Sequence, residues 1–590
     1  MKSIEITFPK LNHFWLDSGL LGFAVMLKEA DDGIEKTVSD IGLTLRGTEG
    51  EIQEALGKAY DLLIERYYNT STKKQIDDTY SYNFYFDNKK DKFVAFPKKK
   101  SVGIAELIFN KAPRPTAKSI KWTKKEKREI LINGKTVKRN RGILPNSHAH
   151  LQKRMDEFLD KHGLDVTTTG LLIDGPNMVQ PKVKIPKKFS ATTKGQCYLC
   201  GEDNFQLEEI GQTIFPFITG ASGLLNFNTK CSKPEKVCWK CAFIGKFVPV
   251  NGFYLTQGDN RFAFFPYSLS LEKMVDIYIT LQDAKYEEPH LFRNFQPPLG
   301  SDLQKPFEVA FAFFYTLYRK VLLHQKAEEG SGVLNWVEMC NLTISKAPLE
   351  FIVLHAIRKK DTFMGKLIWP FRDSVYFFRL IENMEKSGIN IKEVMRLFLQ
   401  KSQENNRKKQ KYKGRETILR NKFCERILKK KTVLDIVEER AWDIVFPKDE
   451  KKTKPSNPTP LADFLFKYET IILEGKMTDE ERSIAVSLGK TIGLCVSKRD
   501  NDRRSRNEIE RDFKRLKGDL IKLRKIRKLT DLLSELERLQ IKYDFSLRVP
   551  DGFFEGKFRE DNFREFKGFC NVAAMQAYSN ARYYAFKEGN

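Results

Sequence analysis

Cys197-Tyr-Leu-Cys200-Gly201 and Cys238-Trp-Lys-Cys241 are the two stretches that decide how this sequence is read. A C-x-x-C turn places two sulfurs on one side of an ion, and a glycine after the second cysteine supplies the tight backbone of a knuckle. Two such turns give four thiolates, the set that closes a structural zinc site and leaves no open position for a substrate. Zinc is therefore the expected cofactor, in a structural role, with Cys197, Cys200, Cys238 and Cys241 as its ligands. The competing chemistry, a pair of redox dithiols, ordinarily needs only one C-x-x-C on a thioredoxin-like framework. The excursion between the knuckles exceeds the usual ribbon spacing of about 15–20 residues, so 202–237 reads as an insertion. Cys231, inside it, competes for one ligand position.

The other cysteines, at 340, 424, 495 and 570, are scattered and show no disulfide spacing. That is a metal pattern in a reducing compartment, and it predicts a cytoplasmic protein. The N-terminal stretch MKSIEITFPKLNHFWLDSGLLGF lacks the order of a signal peptide, and no run of eighteen or more apolar residues occurs. No membrane partner is expected.

Outward from the knuckles, the chain alternates between globular and strongly basic segments. Its 590 residues exceed one hydrophobic core, and its formal charge of +26 points to an anionic partner, nucleic acid first. Ile4-Glu5-Ile6-Thr7-Phe8 alternates as a strand does. Thr48 and Glu51 form a capping box ahead of a helix over about 48–68, lined by Leu56, Tyr60, Leu63 and Ile64. Tyr80–Phe86 and Lys92–Phe96 suggest a hairpin, followed by Lys98, Lys99 and Lys100. Residues 113–142, PRPTAKSIKWTKKEKREILINGKTVKRNRG, hold eleven Lys or Arg against two Glu. With Asn133-Gly134 as its turn, this segment is either a basic β-ribbon or a loop that orders on binding. A helix over His148–His162 closes on Gly163.

Beyond the zinc module, 303–327 and 346–402 read as helices, with Phe311, Phe314, Tyr315, Tyr318 and Leu322, then Val394, Leu397 and Phe398, on their apolar faces. A second basic run, RKKQKYKGRETILRNKFCERILKKK at 407–431, continues a helix and ends it near Gly414. The four prolines of PKDEKKTKPSNPTP, 447–460, mark the clearest boundary. Everything after it reads as helical. Thr478 and Glu481 form another capping box, and Ile509, Phe513, Leu516, Leu520, Leu523 and Ile526 make a bundle seam with Arg and Lys opposite. The last helix, about 568–586, is small and aromatic.

The fold class expected is thus α+β and multidomain. The divisions are a mixed region 1–186 with a basic loop at 113–142, a zinc module 187–262, a mainly helical part 263–446, a linker 447–460 and a helical bundle 461–590.

Enzyme signatures are missing. Gly489-Lys490-Thr491 and Gly134-Lys135-Thr136 look like P-loop tails, but Ile484 and Glu129 stand where the first glycine belongs. His148 and His150, two apart, would face opposite ways on a helix and make no metal pair. The acidic residues sit among lysines as solvated ion pairs. A non-catalytic protein that holds nucleic acid through its phosphates is expected. The candidate contacts are Lys98, Lys99, Lys100, Lys124, Lys125, Lys127, Arg128, Lys138, Arg139, Arg141, Lys408, Lys409, Lys411, Lys413, Arg503, Arg504, Arg506, Lys514 and Arg515. Trp122 and Tyr412, set within two of these runs, either stack on unpaired bases or anchor their loops to the core.

A large basic chain with two mid-chain knuckles, no catalytic motif and an appended basic bundle resembles the large subunit of type I-B CRISPR Cascade. The resemblance rests on Cys197, Cys200, Cys238 and Cys241, on Trp15 to Gly22 (WLDSGLLG), and on the proline-rich boundary before the bundle. It implies an N-terminal part beside the 5′ handle of a guide RNA, reading a short protospacer-adjacent motif in duplex DNA while guide pairing reads the sequence. It further implies a C-terminal bundle on the displaced strand, the backbone, handle-binding and small Cascade subunits as partners, and recruitment of a helicase-nuclease. Within this resemblance Met477, ahead of the Thr478 capping box, reads as an internal start that would make 477–590 a separate small subunit. Two other classes fit the residues: a zinc-knuckle transposase or endonuclease with unrecognised carboxylates, and an RNA-associated zinc protein.

Overall fold

A computed structural model describes residues 3–30, 33–68, 83–95, 119–132, 135–166, 169–174, 183–190, 192–210, 214, 236–257, 259–282, 303, 305–327, 349–360 less its last residue, 362–398, 418–447, 455–472, 477–496, 505–543, 548–550, 552–553, 555 and 558–587. The chain is α+β and forms two compact units, neither continuous in sequence. One comprises Met1–Gln296 and Glu328–Arg372, the other Pro297–Ala327 and Asp373–Asn590.

In the first unit, the alternation of Ile4–Pro9 buries Ile6 and Phe8 and forms an antiparallel sheet with Glu35–Ser39 and Gly42–Gly47. Over this sheet lies the N-terminal helix Phe14–Glu29, buried continuously from Trp15 to Leu27. The helix Glu49–Leu63 starts on the expected capping box of Thr48 and Glu51. A four-stranded antiparallel sheet follows in chain order: Phe253–Gln257, Asn260–Tyr267, Glu350–Lys359 and Thr362–Phe371.

That sheet overturns the expectation of helix throughout 346–402. The run Phe351 to Leu354 is buried at every position, so both faces of its strand are covered. A strand covered on both faces loses the alternation that would mark it. Helices begin only at Ser374–Lys386 and Ile391–Leu397.

A smaller sheet pairs Phe84–Asp87 with Lys92–Ala95 as the expected hairpin, and adds Gly170–Ile173 and Ser119–Lys121. Helix Gln152–His162 closes its core through Met155 and Leu159 and ends on left-handed Gly163. This helix starts later than expected. Residues Asn146–Leu151 form a 3-10 turn with His148 outside helical geometry, and the His148 and His150 rings stack at 6.4 Å instead of facing apart. Beside this small core, Lys124–Ile132 and Lys135–Ile143 pair along their whole length, so the basic segment is a ribbon.

In the second unit, helix Asp479–Leu494 packs along the last helix, Phe563–Lys587. A Cβ on Gly489 would overlap the Cys570 carbonyl, and one on Gly493 the Ala574 carbonyl. The P-loop-like Gly489 is a packing glycine, and Ala573 and Ala577 complete the close approach.

The proline-rich run 447–460 does not separate compact units. Helices on both sides of it meet the last helix: Phe446 lies 5.1 Å from Tyr578, and Phe466 6.1 Å from Phe569. Asn571 donates to Glu438 at 3.0 Å and Gln576 to Asp463 at 3.1 Å. For the same reason 477–590 is not self-contained, because Leu434, Phe446 and Phe466 cover part of its core helix. Met477 is buried, and its carbonyl accepts a hydrogen bond from Arg482 at 2.9 Å.

Other expectations change in detail. The helix at 391 ends at its cap, Phe398; residues 407–417 of the second basic run, with Gly414, lie outside the described residues, and 418–428 are helical. The seam expected over 509–541 is split between Arg506–Lys525 and Leu529–Lys542, because Ile526 leaves helical geometry. Residues 548–550 and 558–562 are not helical, so the C-terminal part is not helix throughout.

Candidate metal centre and basic surfaces

Local hydrogen bonding forms each knuckle. Gly201 takes a left-handed φ of 73° and donates from its amide to the Cys197 carbonyl at 2.9 Å. The amide of Cys197 donates to the Glu202 carbonyl at 2.8 Å, closing the turn. Strand Lys236–Cys238 delivers the second pair, with Cys238 capping the short helix Trp239–Ile244. The Cys238 amide donates to Cys197 Sγ at 3.1 Å, so the two knuckles are tied to each other through backbone.

The four sulfurs lie within 4.8 Å of one another, and Cys200 Sγ stands 3.7 Å from Cys238 Sγ. Thiolates about 2.3 Å from a central ion sit about 3.8 Å apart in a tetrahedron, which matches. Cys197, Cys238 and Cys241 are buried, with Ile210, Ile214, Val237 and Ala242 packed around the sulfurs. Hydrogen bonding from Cys200, then Cys238 and Cys241, pushes the Cys197 thiol far below its ordinary range. The same contacts with Cys197 and Cys200 raise Cys238 and Cys241. Four sulfurs competing for protons around one point are satisfied together by a cation. Among the described residues this quartet is the one group of three or more His, Cys, Asp or Glu placed to hold a metal ion. Cys231 lies outside the described residues.

The quartet is joined to the core of its unit by WLDSGLLG. Gly19 and Gly22 of the N-terminal helix bring its backbone against the segment that follows Cys241. A Cβ at either position would overlap the Ile244 or the Phe247 carbonyl oxygen. Trp239 packs on Phe8 at 5.6 Å, and Phe243 on Phe23 at 5.1 Å. The polar residues of the motif are equally engaged. Trp15 Nε1 donates to the Ile214 carbonyl at 2.8 Å, and Ser18 Oγ accepts from Asn251 at 2.9 Å. Asp17 pairs with buried Lys10 at 3.1 Å and accepts from Tyr267 at 3.1 Å. Sequence reasoning treated this stretch as a family mark only. Two glycines three apart in an otherwise apolar helix were the available signal of a close backbone approach.

The predicted cations have unequal fates. On the ribbon, Lys124, Lys125, Lys127 and Lys138 are exposed. Arg141 is not free for a ligand, since its Nε donates to Asp156 at 3.0 Å, and that carboxylate raises its pKa. The Nε of Arg139 is buried, and register places Arg139 opposite Arg128. Trp122 is the anchor of its segment, because a Cβ on Gly142 would overlap its ring.

On helix Arg506–Lys525, Phe513, Leu516, Leu520 and Leu523 form the buried seam. Arg511, Lys514, Arg515, Lys522 and Lys525 are exposed opposite it, and Arg506, on the side of Phe513, is exposed as well. Several of its cations are engaged within the unit: Lys517 stands 5.3 Å over Phe446, Arg524 5.0 Å over Trp442 and Arg506 5.7 Å over Phe586, and Arg515 pairs with Asp512 at 3.8 Å. Lys98, Lys99, Lys100, Lys408, Lys409, Lys411, Tyr412, Lys413, Arg503 and Arg504 lie outside the described residues, as does the turn Asn133-Gly134. No helix among the described residues is long and apolar enough to cross a membrane.

Comparison with protein-family models gives no match, and comparison with curated proteins gives none either.

Proposed function

We propose that this chain is a zinc-stapled, non-catalytic subunit that holds nucleic acid, and that it serves as the large subunit of a type I-B CRISPR-guided surveillance complex. The observation that carries the nucleic-acid reading is the helix Arg506–Lys525, whose exposed arginines and lysines lie opposite a seam of buried leucines and Phe513. Such a face binds a row of phosphates without reading sequence. The ribbon's exposed lysines supply a second surface of the same kind.

An all-thiolate tetrahedral set selects zinc, and four protein ligands leave no position for a reacting water. In this reading the zinc folds the knuckles against the N-terminal helix and takes no part in chemistry. The first unit recognises the protospacer-adjacent motif, and the bundle helps hold the displaced strand beside the guide RNA. Companion subunits complete the complex, and a helicase-nuclease cuts. A separate 477–590 product belongs to this reading only with another chain covering the face that Leu434, Phe446 and Phe466 cover here.

Gentle purification of the tagged protein from its native host, with sequencing of the RNA it carries, tests the proposal. Short RNAs sharing one 5′ handle followed by variable spacers are expected. Ribosomal or transfer RNA would replace the proposal with an RNA-associated zinc protein. Metal-dependent strand cleavage by the purified chain alone would replace it with a nuclease.

A further inference from the structure

The ribbon of Lys124–Ile132 and Lys135–Ile143 has two unlike faces. Side chains alternate along each strand, and directly opposed residues share a face. Register therefore puts Lys125, Lys127 and Glu129 together with Thr136 and Lys138, and all five are exposed. On the other face Glu126, Val137, Arg139, Arg141 and Ile143 are half-buried. Among the described residues, the hydrogen bonds that tie the ribbon to its unit fall at one end. There the Asn140 amide donates to Asp165 at 2.7 Å, and its carbonyl accepts from Val166 at 3.3 Å. The Gly142 carbonyl accepts from Gln152 at 3.2 Å, and Arg141 donates to Asp156.

The exposed face is cationic, and its five described side chains include no ring on which an unpaired base can stack. The ion pair Lys124–Glu126 belongs to the other face, which leaves Lys125 and Lys127 without a carboxylate partner among the described residues. Lys138 pairs with Glu129 at 3.5 Å, but the two are 74% and 60% exposed, and so open a pair yields readily to a phosphate. The dimensions are as telling as the charge. Two strands about 4.8 Å apart, with their side chains, fit the major groove of B-DNA, about 12 Å wide. Nine residues in each strand run about 30 Å, close to one duplex turn of about 34 Å.

We infer that this ribbon lies in the major groove of duplex DNA, with its exposed face inward and Lys125, Lys127 and Lys138 against the phosphates that line the groove. The inference rests on the proposal that the first unit holds target DNA, and adds the element, the form of nucleic acid and the groove. A face without rings offers nothing to a base outside a duplex. Duplex RNA fails on shape, because the A-form major groove is deep and too narrow for side chains to read. An acidic protein surface would meet the charge alone; the match of width selects the DNA duplex.

The test uses the full chain and fluorescence anisotropy with two DNA duplexes of one sequence, one plain and one carrying glucosylated 5-hydroxymethylcytosine in place of cytosine. The sugars fill the major groove and leave the backbone charge and the minor groove as they are. The wild type binds the plain duplex more tightly. The triple substitution K125A/K127A/K138A binds both duplexes alike, at the affinity of the wild type for the filled one. Its slope of log affinity against log salt on the plain duplex falls by about 2.7, at about 0.9 per phosphate contact. K514A/K522A, in the other unit, keeps the wild-type preference. Equal affinity of the wild type for the two duplexes, or a triple variant that keeps the preference, overturns the placement in the groove. So does a triple variant that binds the plain duplex like the wild type. Wild-type protein that binds a single strand but neither duplex overturns the ribbon's role alone. Protein that binds no strand and no duplex sinks the parent proposal along with it.

Discussion

The cysteine quartet and the basic helix Arg506–Lys525 follow opposite plans. In the quartet the chemically able atoms are buried, and the surroundings are shaped to reach them: Gly19 and Gly22 admit the carbonyls that follow Cys241. In the basic helix most of the cations point to water, while the seam of Phe513, Leu516, Leu520 and Leu523, together with Lys517 and Arg524, answers to neighbours. The difference teaches where sequence is constrained. Around the quartet, second-layer residues matter as much as the ligands. On the basic helix, a position off the seam is free unless it carries charge.

The largest expected effect comes from opening the quartet. Cys241→Ser, or a strong chelator, lowers the stability of the quartet's unit by several kcal/mol; structural zinc contributes about 10–16 kcal/mol in small zinc peptides, an upper scale. Hydrogen exchange checks it. Protection is lost in Phe14–Glu29 and Trp239–Ile244 and kept in Asp479–Leu494, which belongs to the other unit. Unchanged protection of the N-terminal helix would mean that the knuckles are an appendage.

Next in size is the glycine contact itself. Gly22→Val forces a branched side chain onto the Phe247 carbonyl and Val250, and costs about 3 kcal/mol or more. Gly57→Ala, on a helix position with nothing within 4 Å of an added Cβ, is the control and stabilises slightly. Thermal unfolding of both variants decides whether WLDSGLLG is a packing motif. Tolerance of valine at 22 would break that account.

How much of this was legible in sequence depended on range. The knuckles were legible because a C-x-x-C turn holds its chemistry within four residues, and the capping boxes at Thr48 and Thr478 for the same reason. Strand Glu350–Lys359 was misread because burial on both faces erases alternation. The division into units was misplaced because composition marks a proline-rich run but not what packs across it. Nothing local in the sequence announces that Leu434 meets Gly568, or that helix Pro306–Ala327 joins residues beyond 373. The candidate cations carry no mark of engagement in the sequence, yet Arg141 and Arg506 are engaged by Asp156 and Phe586, groups distant in sequence.

That engagement gives the third expectation. Replacing Lys514 and Lys522 by Ala removes two exposed charges, so the slope of log affinity against log salt falls by about 1.4–1.8 for nucleic acid. Arg141→Gln leaves the slope as it is and costs at most about 1 kcal/mol of stability, because its partner Asp156 is only partly shielded from water. Binding titrations at several salt concentrations separate the two. A slope lowered equally by Arg141→Gln would return the ribbon arginine to the binding surface and erase the distinction between engaged and available cations.

The smallest effect tests the free side of the basic helix most directly. Gly518 lies inside Arg506–Lys525, is exposed, and has no atom within 4 Å of where a Cβ would stand. Glycine in a helix interior loses more backbone entropy on folding than alanine does. Gly518→Ala should therefore stabilise the bundle by about 0.5–1 kcal/mol, seen as a modest rise in Tm, while nucleic-acid affinity stays within about twofold. Gly489→Ala, one helix away, should do the reverse, because its Cβ meets the Cys570 carbonyl. If Gly518→Ala destabilised the protein, something would have to cover that face, and the helix would share the quartet's plan after all.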